Sequence, residues 1–341
     1  MIKDSLSKAV KGMDLGEAEM IGVMDEIMSG GASAAQIGAF ITALRMKGET
    51  VAEITGAARV MRERATRIEA KGDNVIDTCG TGGDESMTFN ISTAAAFVAA
   101  GAGLVVAKHG NRSISSRCGS ADVLRALGVN VEAEVSLVEE CIRDAGMGFL
   151  FAPMLHGAMK YAAPVRRELG IRTIFNLLGP LTNPAGAKRQ LIGVYDPLLT
   201  DLLAKALYNL GSRRAFVVRG EDGLDEITLV AETRVTEIDN DSIRTYHIKP
   251  EDYGFARCAP EELKGGDAGC NAGIIQDVLR GKHGPAMDVV MLNAAAAITV
   301  GGLSRSIEEG IAHARASIES GAALAKIEKL KEITNRRRTQ P

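Results

Sequence analysis

The sequence predicts an α/β protein with a small all-helical N-terminal domain and a large α/β domain built on a mostly parallel central sheet. Three observations carry that prediction. At 341 residues the chain exceeds what one hydrophobic core usually serves, so two domains are expected. Residues 3 to about 70 carry apolar residues at helical spacing only. From Asn74 onward short apolar runs alternate with helical segments, the pattern of parallel strands covered by helices.

Element by element, Ala18-Ile21-Met24-Ile27 and Ile37-Phe40-Ile41-Leu44 mark two helices, the second capped by Ser33. A further helix is expected over Glu49 to Arg67. Strands are expected at Val75-Ile76, Leu104-Ala107, Gly148-Phe151, Leu191-Val194 and Ala215-Val218, with helices at 92–101, 120–127, 135–145 and 197–210 between them. Ile227-Val230, Val235-Ile238 and Ile243-Ile248 read as strands joined by turns at an antiparallel edge. Helices return at 260–280, 286–300, 304–320 and 321–335. Residues 155–185 read as helical and resemble the first domain more than the second. The small domain is therefore placed at residues 1–72, with helices from about 160–185 returning to it, and the large domain at 73–341.

Composition excludes several classes. A formal charge of −3 creates no field to attract nucleic acid or an anionic membrane. The absence of Trp and an aromatic content of 4 % remove the stacking platforms of single-strand binders. Five scattered cysteines (Cys79, Cys118, Cys141, Cys258, Cys270) form no C-x-x-C pair, which fits reduced thiols in a cytoplasm. Met1 to Gly16 lacks an apolar run of signal-peptide length. Ile91 to Ala107 is broken by Gly101 and Gly103, so it reads as a buried helix, a turn and a strand rather than a membrane span. Arg336-Arg337-Arg338 is expected to be a solvated helix end. Neither nucleic acid nor membrane is an expected partner.

Four segments carry chemistry. Asp77-Thr78-Cys79-Gly80-Thr81-Gly82-Gly83-Asp84 follows the first strand, and its glycines free backbone N–H groups to wrap an anion. By itself such a loop reads equally as a turn. It continues into Thr88-Phe89-Asn90-Ile91-Ser92-Thr93 and an alanine-rich helix, which places hydroxyls and free amides where phosphate binds well. It is neither G-x-x-x-x-G-K-[ST] nor G-x-G-x-x-G, which disfavours a P-loop and a dinucleotide fold. Lys108 to Ser120, after the second strand, holds three cations, a histidine and four serines; its bland reading is a solvated loop. Two such loops at neighbouring strand ends match where ligands sit on parallel sheets. Gly220-Glu221-Asp222-Gly223-Leu224-Asp225-Glu226 is acidic: an exposed hairpin turn, or carboxylates for Mg²⁺ opposite the phosphate loops. Arg166 offers a fork for a carboxylate; the alternative is a surface ion pair of Arg166 or Arg167 with Glu168. The remaining histidines lack zinc-ligand spacing, and no G-x-S-x-G elbow occurs.

In this order, Gly80-Thr81-Gly82-Gly83-Asp84, Asn90-Ile91-Ser92-Thr93, Lys108-His109-Gly110-Asn111-Arg112, Gly119-Ser120-Ala121-Asp122, Asn176 to Pro184 and Asp225-Glu226 resemble the anthranilate phosphoribosyltransferase family nearly end to end. The resemblance implies a nucleoside phosphorylase/phosphoribosyltransferase-like two-domain fold, a cleft between the domains and a homodimer formed through the helical ones. It implies transfer of the phosphoribosyl group of phosphoribosyl diphosphate (PRPP) to the amine of anthranilate, with Mg²⁺ as cofactor. PRPP would be received by Gly80, Gly83, Asp84 and Thr88, by Asn90, Ile91, Ser92 and Thr93, by Lys108, His109, Gly110, Asn111, Arg112, Ser113, Ile114, Ser115 and Ser116, and by Ser120. Ser92, Asp225 and Glu226 would hold the metal; Gly80, Asn111 and Arg166 would line the anthranilate side. Lys108, Asp225 and Glu226 are the expected catalytic residues. Glu85 departs from the glycine that family members often carry there. The competing expectations are pyrimidine nucleoside phosphorylase-like glycosyl transfer and a non-catalytic nucleotide-binding regulator.

Overall fold

The computed structural model describes residues 1–72, 74–84, 86–112 and 118–336. Arg337 and Arg338 of the basic run, Glu85, and Ser113, Ile114, Ser115 and Ser116 lie outside the described residues.

Four helices open the chain: α1 (Ile2–Val10), α2 (Glu17–Met28), α3 (Ala34–Lys47) and α4 (Val51–Arg64). Their starts are set by local hydrogen bonds. Ser33 caps α3 by accepting from the Gln36 N–H at 3.3 Å, while Gln36 Oε1 accepts from the Ser33 N–H at 2.9 Å. Thr50 and Glu53 form the same reciprocal box at α4, so that helix starts after Glu49 and ends at Arg64, short of Arg67.

The remainder runs β1 (Val75–Gly80), α5 (Ile91–Gly101), β2 (Val105–Gly110), α6 (Ser120–Ala126), α7 (Val135–Glu140) and β3 (Met147–Phe151). It continues through α8 (Ala152–Leu155), α9 (Ala163–Leu169), α10 (Ile174–Leu178), β4 (Arg189–Gly193), α11 (Leu198–Asn209), β5 (Arg214–Gly220), β6 (Thr233–Asp239) and β7 (Ser242–Ile248). Four helices close it: α12 (Ala268–Leu279), α13 (Pro285–Gly301), α14 (Ile307–Glu319) and α15 (Ala322–Thr334). The seven strands lie in the order β3-β2-β1-β4-β5-β6-β7; β1 to β5 are parallel, and β6 and β7 add an antiparallel edge. Strand order reverses at β1, between β2 and β4, which is where open α/β sheets present a ligand crevice.

Alternation along each strand divides the core. Ile76, Val106, Leu191 and Phe216 face one buried cluster with α5, α13 and α15. Cys79, Ile192, Ala215 and Val217 face another, which is continuous with α1 to α4 and with Ala162, Val165, Ile174 and Leu178. Residues 155–185 are short helical pieces rather than long helices, interrupted where Gly170 turns left-handed (φ 63°) and Pro180 opens a 3-10 turn. One expected strand is absent: Ile227-Val230 is irregular. The Asn293 side chain takes both the N–H and the C=O of Ile227 (3.0 and 2.8 Å), and Thr233 Oγ1 accepts from the Thr228 N–H (3.1 Å), so these groups are not available to a ladder. Among the described residues no helix is long and apolar enough to cross a membrane.

Candidate active site

The glycine loop leaves the carboxyl end of β1, with Gly80 in register with Gly193 of β4. Gly82 and Gly83 adopt left-handed backbone (φ 65° and 84°), a conformation that favours glycine. The Gly82 N–H donates to Asp225 Oδ2 at 2.9 Å. A Cβ on Gly80 would lie 2.6 Å from the same oxygen, and a Cβ on Gly193 only 1.5 Å from the Asp225 carbonyl oxygen. Both glycines are therefore the condition for the acidic turn to close against the strand ends.

Asp225 and Glu226, on the bent backbone after Leu224, take different partners. Glu226 Oε1 accepts from the Ser92 N–H at 3.0 Å, at the first turn of α5. Burial pushes both carboxyls up. The nearby Asp84 charge raises Asp225 further, and the Asp225 charge raises Glu226. Asp84 itself accepts from the Ser86 hydroxyl.

Lys108, from β2, is buried beneath this junction. Its ammonium donates to the Thr78 carbonyl and lies 3.5 Å from Ser92 Oγ. Burial lowers its pKa, while the Asp77, Glu226 and Asp225 charges oppose that shift. Asp77 Oδ1 accepts from the His109 N–H at 3.0 Å and Oδ2 from Asn183 Nδ2 at 2.8 Å, so this buried carboxylate ties β1 to β2.

Asn90, before α5, is oriented by a chain of bonds. Gly266 N–H donates to Asn271 Oδ1 (2.7 Å), Asn271 Nδ2 to Asn90 Oδ1 (3.0 Å), and Asn90 Nδ2 to the Cys118 carbonyl (3.1 Å). Thr88 pairs with Lys264 in an isolated bridge. Ile91 and Thr93 are buried. Ser120 Oγ donates to the Asn111 carbonyl at 3.3 Å, and Gly110 packs under Ser120 and Phe149, where a Cβ would clash.

Residues 80–84, 90–92, 108 and 225–226 thus meet at one place. Two expected residues, His109 and Arg112, have their side chains engaged elsewhere. The His109 ring faces the opposite side from Lys108; its Nδ1 lies 3.1 Å from the Gly179 carbonyl and its Nε2 3.2 Å from His156 Nε2. Arg112 pairs with Glu132 (2.5 Å) and lies over the Phe151 ring (5.4 Å), beside a cavity of about 450 Å³ that Pro153 and Met154 also line. Arg166 is half-buried against Phe175, 5.3 Å from its ring centre, and forms no ion pair with Glu168. Burial lowers its pKa. Asn271, Asn293 and Arg172 belong to this neighbourhood and carry no local motif in the sequence.

The helical bundle domain of a glycosyl transferase family matches residues 3–65, and the a/b domain of that family matches residues 72–324. The chain is 56 % identical to the anthranilate phosphoribosyltransferase of Geotalea daltonii, over 98 % of this chain and 100 % of that one. It is also 56 % identical to the enzyme of that name from Acetivibrio thermocellus, over 98 % and 97 %. The crystal structure of the Thermus thermophilus anthranilate phosphoribosyltransferase superposes with a TM-score of 0.92 at 44 % identity, covering 98 % of this chain and 100 % of that one. The Saccharomyces cerevisiae enzyme in complex with PRPP and Mg superposes with a TM-score of 0.88 at 28 % identity, over 98 % and 97 %. The chain belongs to the anthranilate phosphoribosyltransferase family within these glycosyl transferases.

Proposed function

We propose that this chain transfers the phosphoribosyl group of PRPP to the amine of anthranilate, giving N-(5-phosphoribosyl)anthranilate and diphosphate, a step of tryptophan biosynthesis. The observation that carries the reading is the direct meeting of an amide-rich glycine loop with an acidic turn, through Gly82 to Asp225 and Ser92 to Glu226.

The donor set fits Mg²⁺. Asp225, Glu226 and the Ser92 hydroxyl are oxygen donors of the kind Mg²⁺ takes, and the Asp225 charge raises the Glu226 carboxyl, a repulsion a cation would relieve. Among the described residues no three His, Cys, Asp or Glu converge to hold an ion by themselves, so waters and phosphate oxygens would complete the shell. When bound, Mg²⁺ neutralises charge that builds on the departing diphosphate.

The chain supplies the rest. The glycine loop and the turn at 90–93 would cradle phosphate oxygens once the Gly82 and Ser92 N–H groups exchange Asp225 and Glu226 for them. Lys108 adds a fixed positive charge where solvent is excluded, and a preorganised donor of this kind contributes about 3–4 kcal/mol in well-studied cases. Asn111 and Arg166 orient the aromatic acid. Its amine is neutral at pH 7 and attacks ribose C1 without a dedicated base; alignment of the two atoms supplies much of the remaining acceleration. We further propose a cytoplasmic homodimer through the helical domain, with the domains divided at 1–72 and 73–341. Light scattering that gave the mass of one chain would contradict the dimer.

The test is anthranilate fluorescence. Its decay should require both PRPP and Mg²⁺. Fluorescence unchanged by both together, or phosphorolysis of thymidine in their place, would overturn the proposal.

A further inference from the structure

Beside the glycine loop lies a cation that the roles above do not use. Arg172 sits in the turn between α9 and α10. Its Nη2 donates to the Gly83 carbonyl, and its guanidinium stacks on Tyr195 with the central carbon 4.2 Å from the ring centre. Tyr195 follows β4 by two residues, so the guanidinium lies over the carboxyl ends of β1 and β4, where strand order reverses. A Cβ on Gly83 would come within 2.2 Å of Nη2. The glycine is what admits the arginine to this place.

Among the described residues, Lys108 donates to Thr78 and lies against Ser92, and Arg112 is paired with Glu132. Arg172 has five N–H donors, and among the described residues it meets one carbonyl, one ring and no carboxylate. Charge balance calls for such a group. PRPP brings several more negative charges than Mg²⁺ and Lys108 offset. A planar guanidinium fork matches two phosphate oxygens at once.

We propose that Arg172 is a further substrate-binding residue, whose guanidinium, seated on Tyr195 and bonded to Gly83, engages the diphosphate group of PRPP. This inference rests on the PRPP reading above.

The experiment titrates inorganic diphosphate with Mg²⁺ into the parent, Arg172→Gln and Arg172→Lys by calorimetry, and measures KM for both substrates. Arg172→Gln should weaken diphosphate binding by at least about tenfold. KM for PRPP should rise in parallel, and KM for anthranilate should stay within about twofold of the parent's. Arg172→Lys, which keeps the charge and loses the fork, should recover part of the loss. Unchanged diphosphate affinity in Arg172→Gln overturns the assignment. So does a rise in KM for anthranilate alone, which would place the arginine on the aromatic acid. Equal losses for both substrates with a lowered melting temperature would make its role structural. If Arg172→Gln does not fold, Arg172→Lys alone decides, since an intact fork requirement must appear there as weaker diphosphate binding. A parent that binds neither diphosphate nor PRPP would sink the functional reading itself, a result distinct from a parent that binds while Arg172→Gln matches it.

Discussion

Two buried histidines make stability depend on pH in a window set by their surroundings. The Gly179 carbonyl accepts from His109 Nδ1–H at 3.1 Å, which leaves His109 Nε2 as an acceptor, so His156 Nε2–H must donate to it at 3.2 Å. A proton added to His109 would set one N–H against another. Burial, then the His156 charge, pushes His109 down to about 3, and burial pushes His156 down to about 4. In the unfolded chain each titrates near about 6.5. The unfolded state therefore binds more protons below that value. The pair's contribution is full above about 6.5 and is lost as pH falls toward the folded values. From pH 7.0 to 5.5 linkage gives a loss of about 1.3 kcal/mol per histidine, or about 2.5 kcal/mol for the pair. Urea unfolding followed by circular dichroism at both pH values measures it. His156→Gln keeps the donor and removes one titration, so its stability should fall by about 1.3 kcal/mol less than the parent's over the same interval. Carboxylate titrations common to both proteins cancel in that comparison. Identical pH dependence of parent and variant would refute the tautomer chain.

Asp225→Asn combined with Glu226→Gln should lower kcat by about 10²–10³ with a much smaller change in PRPP affinity, measured by anthranilate fluorescence; retained turnover would remove the metal assignment. Arg166→Ala should raise KM for anthranilate and leave that for PRPP nearly unchanged, whereas equal effects would indicate structural damage. Gly193→Ala places a Cβ 1.5 Å from the Asp225 carbonyl and should push the acidic turn away. Its kcat should drop at least about tenfold with the helical circular dichroism intact, and an unchanged kcat would mean that the turn need not touch β4.

Much of the fold was legible because its signals are local. Ser33 with Gln36 announces α3, and the apolar runs after Asn74 mark the parallel strands, since capping and alternation act within a few residues. Ile227-Val230 misled because its apolar content resembles a strand, while its fate is set by Asn293, 66 residues away. Arg172, Asn271 and Asn293 were invisible as site residues for the same reason: their partners Gly83, Asn90 and Ile227 are distant in sequence. The direction of His109 was within reach, because strand alternation sends it away from the face of Lys108. The engagement of Arg112 with Glu132 was not, since it depends on how the segment after α6 returns to the β3 edge.

A crystal structure of the protein grown with PRPP and Mg²⁺ tests the central claim most directly. The account predicts the ion on Asp225 and Glu226 and the diphosphate against the amides of residues 80–84 and 90–93, above Lys108. Diphosphate bound instead in the cavity beside Arg112, Glu132 and Phe151, with the glycine loop still closed on Asp225, would contradict it.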